Sequence, residues 1–224
     1  MQQYYPVIIE PRYKSRIYFT SREKLDLIVS ILAITMIFYI ASFKRRFQAL
    51  NLELILFLFG ISFGAALTGF LAHEMAHKYF AFRYGATGEY RANYFFLLIG
   101  FFFGIMGVIF LAPGAVWITG YITKEENGKI SLAGPGTNIL ISLLLLPAVI
   151  LISLPVVKLA LSMIIAINIF LAFFNLLPIP PLDGSKVLSW NLLLYILSIV
   201  GVIGLGAVYY WLGEYGKLYP QFIL

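Results

Sequence analysis

Both histidines of the chain, His73 and His77, flank Glu74 inside the apolar run Leu54–Phe82. On an α-helix, positions i and i+4 lie on one face, so the two imidazoles can be directed at a single point. Glu74 is turned by about 100° from His73, near enough to reach a water molecule at that point without being a ligand itself. This H-E-x-x-H spacing is a zinc-binding arrangement in which the glutamate is the general base. The plainer alternative is a polar pair satisfied by hydrogen bonds within a helix bundle. Ionisable groups in an apolar span are costly and as a rule functional, which favours a metal.

A catalytic zinc needs a third protein ligand and an open position for water. With no cysteine and no third histidine, the candidates are carboxylates. Glu10, Glu23 and Asp26 sit near the start of the first apolar run, and Glu53 is at the far end of the second. Glu89, Glu125 and Glu126 read as loop residues, and Glu214 lies at the opposite end of the last run. Asp183, in "NLLPIPPLDGSKVL", remains. Taken alone it also reads as the N-cap of the following helix. Pro178, Pro180 and Pro181 unwind the chain just before it, and irregular backbone at this depth is tolerated where it lines a wet, protein-enclosed cavity.

The elements that must bring these groups together are apolar. Of 224 residues, 61% are hydrophobic and 12% charged, too apolar for a soluble domain of this size, and runs of about 18–20 apolar residues point to a bilayer. The net charge of +6 would suggest nucleic acid in a soluble protein. Here it reads as basic loops on a cytoplasmic leaflet, with no nucleic-acid partner. The N-terminus lacks the pattern of a secretory signal. "TSRE" matches a capping box, Thr20 to Glu23, and opens a first span over Leu25–Phe43 that stops at Lys44-Arg45-Arg46. A second span, Leu54–Phe82, carries the histidines, and a third uncharged run covers Tyr94–Leu111. "APGAVWITGYITKEENGKISL" reads as a hairpin turning at Asn127-Gly128. Further spans are expected from Pro135 to Leu154, from Leu159 to Leu177 and from Val187 to Tyr210.

Basic residues set the orientation. Arg12, Lys14, Arg16, Arg22, Lys24, Lys78, Arg83, Arg91, Lys124, Lys129 and Lys186 fall on one side, against Lys44, Arg45, Arg46, Lys158 and Lys217 on the other. The richer side is expected to be cytoplasmic. The histidines then lie roughly 9–15 Å inside that face, counting about 1.5 Å per residue back from Arg83. Asp183 meets them only if residues 85–134 cross the membrane an even number of times or not at all. The run 94–111 is therefore expected to dip in and return, with Ala112–Tyr121 as a membrane-embedded strand.

"HEMAH" followed by "NLLPIPPLDG" resembles the site-2 protease family of intramembrane zinc metallopeptidases, in its archaeal or bacterial form without a peptide-binding domain. "AGPGTN", Ala133–Asn138, is similar to the Gly-Pro-x-x-Asn turn that opens a core helix in that family. Ala76 departs from the glycine many members carry, and the long run Tyr94–Leu111 is absent from shorter members. The resemblance implies zinc, one per chain, on His73, His77 and Asp183, with Glu74 as base and a transmembrane protein substrate cut within or near the bilayer. It also suggests that Asn175 hydrogen-bonds the substrate backbone or the oxyanion; a helix-to-helix hydrogen bond is the alternative. The strand at Val116–Thr123 could pair with an unfolded substrate or only plug the bundle.

The expected protein is thus an all-α polytopic membrane protein of about six transmembrane or re-entrant helices with a small membrane-associated β-hairpin. Residues 1–24 form a cytoplasmic arm and 25–224 a membrane-embedded metalloprotease domain in the cell membrane. Rival readings are a prenyl-protein-processing peptidase, a metal transporter or other non-proteolytic metal-binding protein, and an inactive scaffold. The first would need a later intramembrane glutamate, the second polar groups along a path, and the third has no need of Glu74.

Overall fold

Among the residues described by the computed structural model, 17–43 and 51–214, five helical stretches are long and apolar enough to cross a membrane. They are Ser21–Ser42, Leu52–Arg83, Lys124–Leu151, Pro155–Asn175 and Leu192–Glu214. The N-terminal arm through Arg16, the basic stop at Lys44-Arg45-Arg46 and Lys217 lie outside the described residues.

Helix α1 (Ser21–Phe43) begins four residues earlier than expected. Thr20 Oγ1 accepts the Glu23 N–H at 3.1 Å, which caps the helix. The reciprocal half of the box is not made, because the Glu23 carboxylate turns inward to Lys78. The second span is α2 (Leu52–Ala65), a π-helical turn (Ala66–Leu71) and α3 (Ala72–Arg83) in one continuous rod. In the π turn the Ala72 N–H reaches back five residues to the Leu67 carbonyl. Thr68 Oγ1 donates to the Gly64 carbonyl at 2.8 Å just before it.

Strand β1 (Thr87–Ala92) follows, then α4 (Tyr94–Met106) and strand β2 (Gly114–Thr119). The strands pair antiparallel, with Thr87 opposite Thr119 and Ala92 opposite Gly114. The hairpin therefore joins 87–92 to 114–119, not 112–121 to residues beyond Asn127-Gly128, and Glu89 lies in a strand rather than a loop. The Asn93 N–H donates to the Pro113 carbonyl at 2.8 Å, so the intervening run starts and ends at one place. At 13 residues α4 is about 20 Å long, short of the roughly 30 Å apolar core of a bilayer. The run thus leaves and rejoins the sheet at one place, between Asn93 and Pro113.

Helix α5 (Lys124–Leu151) begins eleven residues before the expected start at Pro135. A complete capping box accounts for this: Thr123 Oγ1 accepts the Glu126 N–H and Glu126 Oε2 accepts the Thr123 N–H. Asn127 and Gly128 are helical, and Gly128 serves packing, since a Cβ there would lie 2.5 Å from the Trp190 ring. The Gly-Pro-x-x-Asn segment accordingly sits inside α5 and does not open it. Helix α6 (Pro155–Asn175) follows, then α7 (Asp183–Trp190) and α8 (Leu192–Glu214). The last expected span is divided at Asn191, whose side chain caps α8 by accepting the Leu194 N–H at 3.0 Å.

Helix α5 is the centrepiece, packed against α3, α6 and α7. Leu27, Ile34 and Phe38 of α1 meet Ala65, Ala66 and Phe70 of the second span, with Ile167 and Leu171 of α6 closing the main core. Many leucines, isoleucines and phenylalanines on the outer faces are exposed, as lipid-facing surfaces must be.

Candidate metal centre

Three elements deliver the centre. Helix α3 presents His73 and His77 from one face; their rings are 4.6 Å apart at 79°. Asp183 opens α7, which turns back from α6 through Leu176–Leu182. That turn is tight: a Cβ on Gly184 would stand 2.1 Å from the Leu176 carbonyl oxygen, so only glycine lets the first turn of α7 rest on the end of α6. Asp183 does not cap α7, whose N-cap is Leu182, and its carboxylate is free for another task.

The Nε2 atoms of His73 and His77 are 3.0 Å apart, and Asp183 Oδ2 is 3.3 and 3.1 Å from them. All three side chains are buried. The tautomers follow from the other ring nitrogens. His77 Nδ1 is 2.7 Å from the Ile130 carbonyl, which can only accept, so Nδ1 carries the hydrogen. His73 Nδ1 is 2.6 Å from Asn138 Oδ1. Asn138 Nδ2 donates to the Gly69 carbonyl at 2.8 Å and to Asn168 Oδ1 at 2.9 Å, which fixes the amide with its oxygen towards His73. Both Nε2 atoms therefore hold lone pairs, facing each other and a carboxylate oxygen.

Three converging acceptors with no donor between them make a cation site. Their separations match the edge of about 3.3 Å in a tetrahedral site with bonds near 2.0–2.1 Å, so the residues fit zinc.

Helix α5 forms the wall opposite the histidines. Pro135 lacks an N–H, so the Ser131 carbonyl, next to the Ile130 carbonyl that His77 uses, receives no i→i−4 bond from it. Gly134 faces the centre so closely that a Cβ would lie 2.4 Å from His77 Nε2 and 2.5 Å from His73 Nε2.

Glu74 is buried on the same cavity, and the Val116 backbone N–H of β2 faces its carboxylate. The cavity, about 200 Å³, runs between β2, α3, α5 and α6, with Asn175 and Lys186 in its lining. Asn175 Nδ2 donates to the Leu171 carbonyl of its own helix at 3.0 Å. The structure thus brings together His73, Glu74, His77 and Asp183, with Asn175 on the same cavity. The support of His73 by Asn138 and Asn168, and the closeness of Gly134, go beyond what the motif spacing reveals. The signal for the first is the asparagine at 138, which opens the apolar half of α5, and the one at 168 within the apolar α6. Lys78, counted among the basic residues of the cytoplasmic side, is buried within α3.

Residues 152–194 match the description "Peptidase family M50". A protein of Methanocaldococcus jannaschii named "Putative zinc metalloprotease MJ0611" is 43% identical over 196 residues, covering 86% of this chain and 95% of the relative. No solved structure matches the chain.

Proposed function

The chain belongs to peptidase family M50, the site-2 protease family, and from that premise we propose an intramembrane zinc endopeptidase that cuts transmembrane protein substrates. It is an integral membrane protein and a metallopeptidase of site-2 protease type; the substrate class, the roles of single residues and the cytoplasmic position of the site are our reading. The observation that carries this reading is the convergence of His73 Nε2, His77 Nε2 and Asp183 Oδ2 beside a buried glutamate.

His73, His77 and Asp183 would hold one zinc per chain. When bound, zinc supplies Lewis acidity that polarises a peptide carbonyl and acidifies a water molecule. Glu74 accepts the proton of the attacking water and passes it to the leaving amine nitrogen. Asn138 and the Ile130 carbonyl keep the imidazoles in one orientation and tautomer, so the ligands need no rearrangement. Asn175 lines the cavity where its amide can donate to the substrate backbone or to the developing oxyanion.

A peptide bond in a helix is shielded, so the substrate must be extended at the centre. In the ladder of β1 and β2, the backbone groups of Gly114, Val116 and Ile118 point away from β1, and all three residues line the cavity. This supports edge addition of an extended substrate segment to β2. The test is cleavage of a transmembrane substrate co-reconstituted in liposomes. Wild-type protein should cut it and lose activity to a chelator, while Glu74→Gln keeps zinc and is inactive. Near-wild-type cleavage by Glu74→Gln would sink the mechanism.

A further inference from the structure

Outside the metal centre, the chain buries a carboxylate and an ammonium that the mechanism above does not use. Glu23 of α1 is 0% exposed and Lys78 of α3 is 4% exposed. Lys78 Nζ donates to both Glu23 oxygens at 2.7 Å and to the Gly88 carbonyl at 2.8 Å. Its three hydrogens are thereby all spent. Glu23 Oε1 also accepts the Tyr90 N–H at 3.1 Å, and Asp26, one turn along α1, accepts the Ala92 N–H at 3.4 Å.

The backbone groups engaged belong to alternate residues of β1: the carbonyl of Gly88, the N–H of Tyr90 and the N–H of Ala92. Alternate residues of a strand present their backbone groups to one edge. These are the groups facing away from β2, so side chains of α1 and α3 occupy the edge where a third strand would pair. Stability alone is a poor reason for the arrangement, because well-packed apolar residues commonly replace a buried ion pair at no cost. An apolar pair could not satisfy the buried backbone groups of β1.

We propose that Glu23, Asp26 and Lys78 are positioning residues: they stand in for a third strand on β1 and so hold the opposite, open edge of β2 over Glu74 for an extended substrate. The inference rests on the proteolytic reading given above. The sheet has two edges; one is closed by α1 and α3, and the other faces the cavity. A substrate segment consequently has one place to pair. Lys78 directly follows His77, so α3 sets the sheet and presents a metal ligand with neighbouring residues.

Two double variants separate the strand role from simple charge pairing. Glu23→Gln with Lys78→Gln removes both charges but keeps an acceptor for Tyr90 and a donor for Gly88. The shorter side chain should still reach, since Gly88 packs on the Lys78 backbone, a Cβ there lying 3.3 Å from Lys78 Cα. Glu23→Lys with Lys78→Glu keeps an ion pair but sets an ammonium against the Tyr90 N–H and a carboxylate against the Gly88 carbonyl. Three readouts apply to reconstituted protein: bound zinc, hydrogen exchange of 87–92 and 114–119, and kcat/KM for the transmembrane substrate. The amide pair is expected to stay within about threefold of wild type in exchange and kcat/KM. The swapped pair should keep its zinc but exchange faster and lose roughly tenfold or more in kcat/KM, mainly through KM. A swapped pair that behaves as wild type, or an amide pair that fails, overturns the proposal. If the swapped pair does not fold, the amide pair alone decides. Absence of cleavage by wild type would refute the proteolytic reading instead, and the exchange arm would still report on the strand.

Discussion

Replacing Gly134 by alanine adds one methyl group at the centre of the site and leaves every proposed ligand residue in place. That methyl would lie 2.4 Å from His77 Nε2 and 2.5 Å from His73 Nε2, so the rings must retreat by about 1 Å to reach ordinary contact. They are not free to do so. His77 Nδ1 is held at 2.7 Å by the Ile130 carbonyl and His73 Nδ1 at 2.6 Å by Asn138, and such a retreat stretches both bonds to about 3.6 Å, outside hydrogen-bonding range. Each buried bond lost costs roughly 1–3 kcal/mol, so the pair costs about 2–6 kcal/mol. At about 1.4 kcal/mol per tenfold, zinc affinity should fall at least about 30-fold. Competition between detergent-solubilised protein and chelators of graded affinity measures this directly. Gly136→Ala, two residues along the same helix, meets nothing within 4 Å and is the control. Both substitutions favour helix by about 1 kcal/mol, so helix propensity cannot account for a difference between them. Zinc bound by Gly134→Ala within about threefold of wild type would refute the geometry of the centre.

Asp183→Ala should remove zinc from purified protein, measured by elemental analysis; full occupancy would exclude Asp183 as a ligand. Asn138→Leu should retain the fold but weaken zinc roughly 10–100-fold, because His73 loses the partner that orients it. The cysteine-free chain permits a topological test with single cysteines at the exposed positions Arg83, Lys124 and Ser153. Those at 83 and 124 should label from one membrane face and that at 153 only from the other.

How much is legible in the sequence depends on the range of the interactions involved. The second span, the histidine pair and Glu74 can be read directly, because i, i+4 spacing is a local property. Asp183 is reached by elimination, since the chain offers few carboxylates and only one near the right end of an apolar run. The return of the 94–111 run to its starting point, between Asn93 and Pro113, agrees with the demand that Asp183 and the histidines meet. The start of α5 is misplaced by pattern because Asn127-Gly128 is a strong turn signal and Pro135 a plausible helix start. The capping box at Thr123–Glu126 outweighs both, and Gly128 proves to be a seat for Trp190. The pairing of β1 with β2 spans more than twenty residues and depends on groups of α1 that pattern alone does not connect. Lys78 counts as one more cytoplasmic cation in the sequence because its partner, Glu23, lies 55 positions away.

The π turn at Ala66–Leu71 sets a phase. Its one additional residue per turn rotates everything after it by about 100° relative to a regular helix. Residues 52–65 and 72–83 therefore share an axis but not a face count, and each half of the span satisfies its own neighbours. Losing one residue between 66 and 71 would let the rod relax to a regular helix with His73 and His77 still facing the cavity, because the wide turn absorbs one residue. Gaining one there would swing both histidines together out of the cavity by about 100°, with neither altered. The segment should therefore tolerate shortening by one residue far better than lengthening by one, although no side chain in it is a candidate ligand.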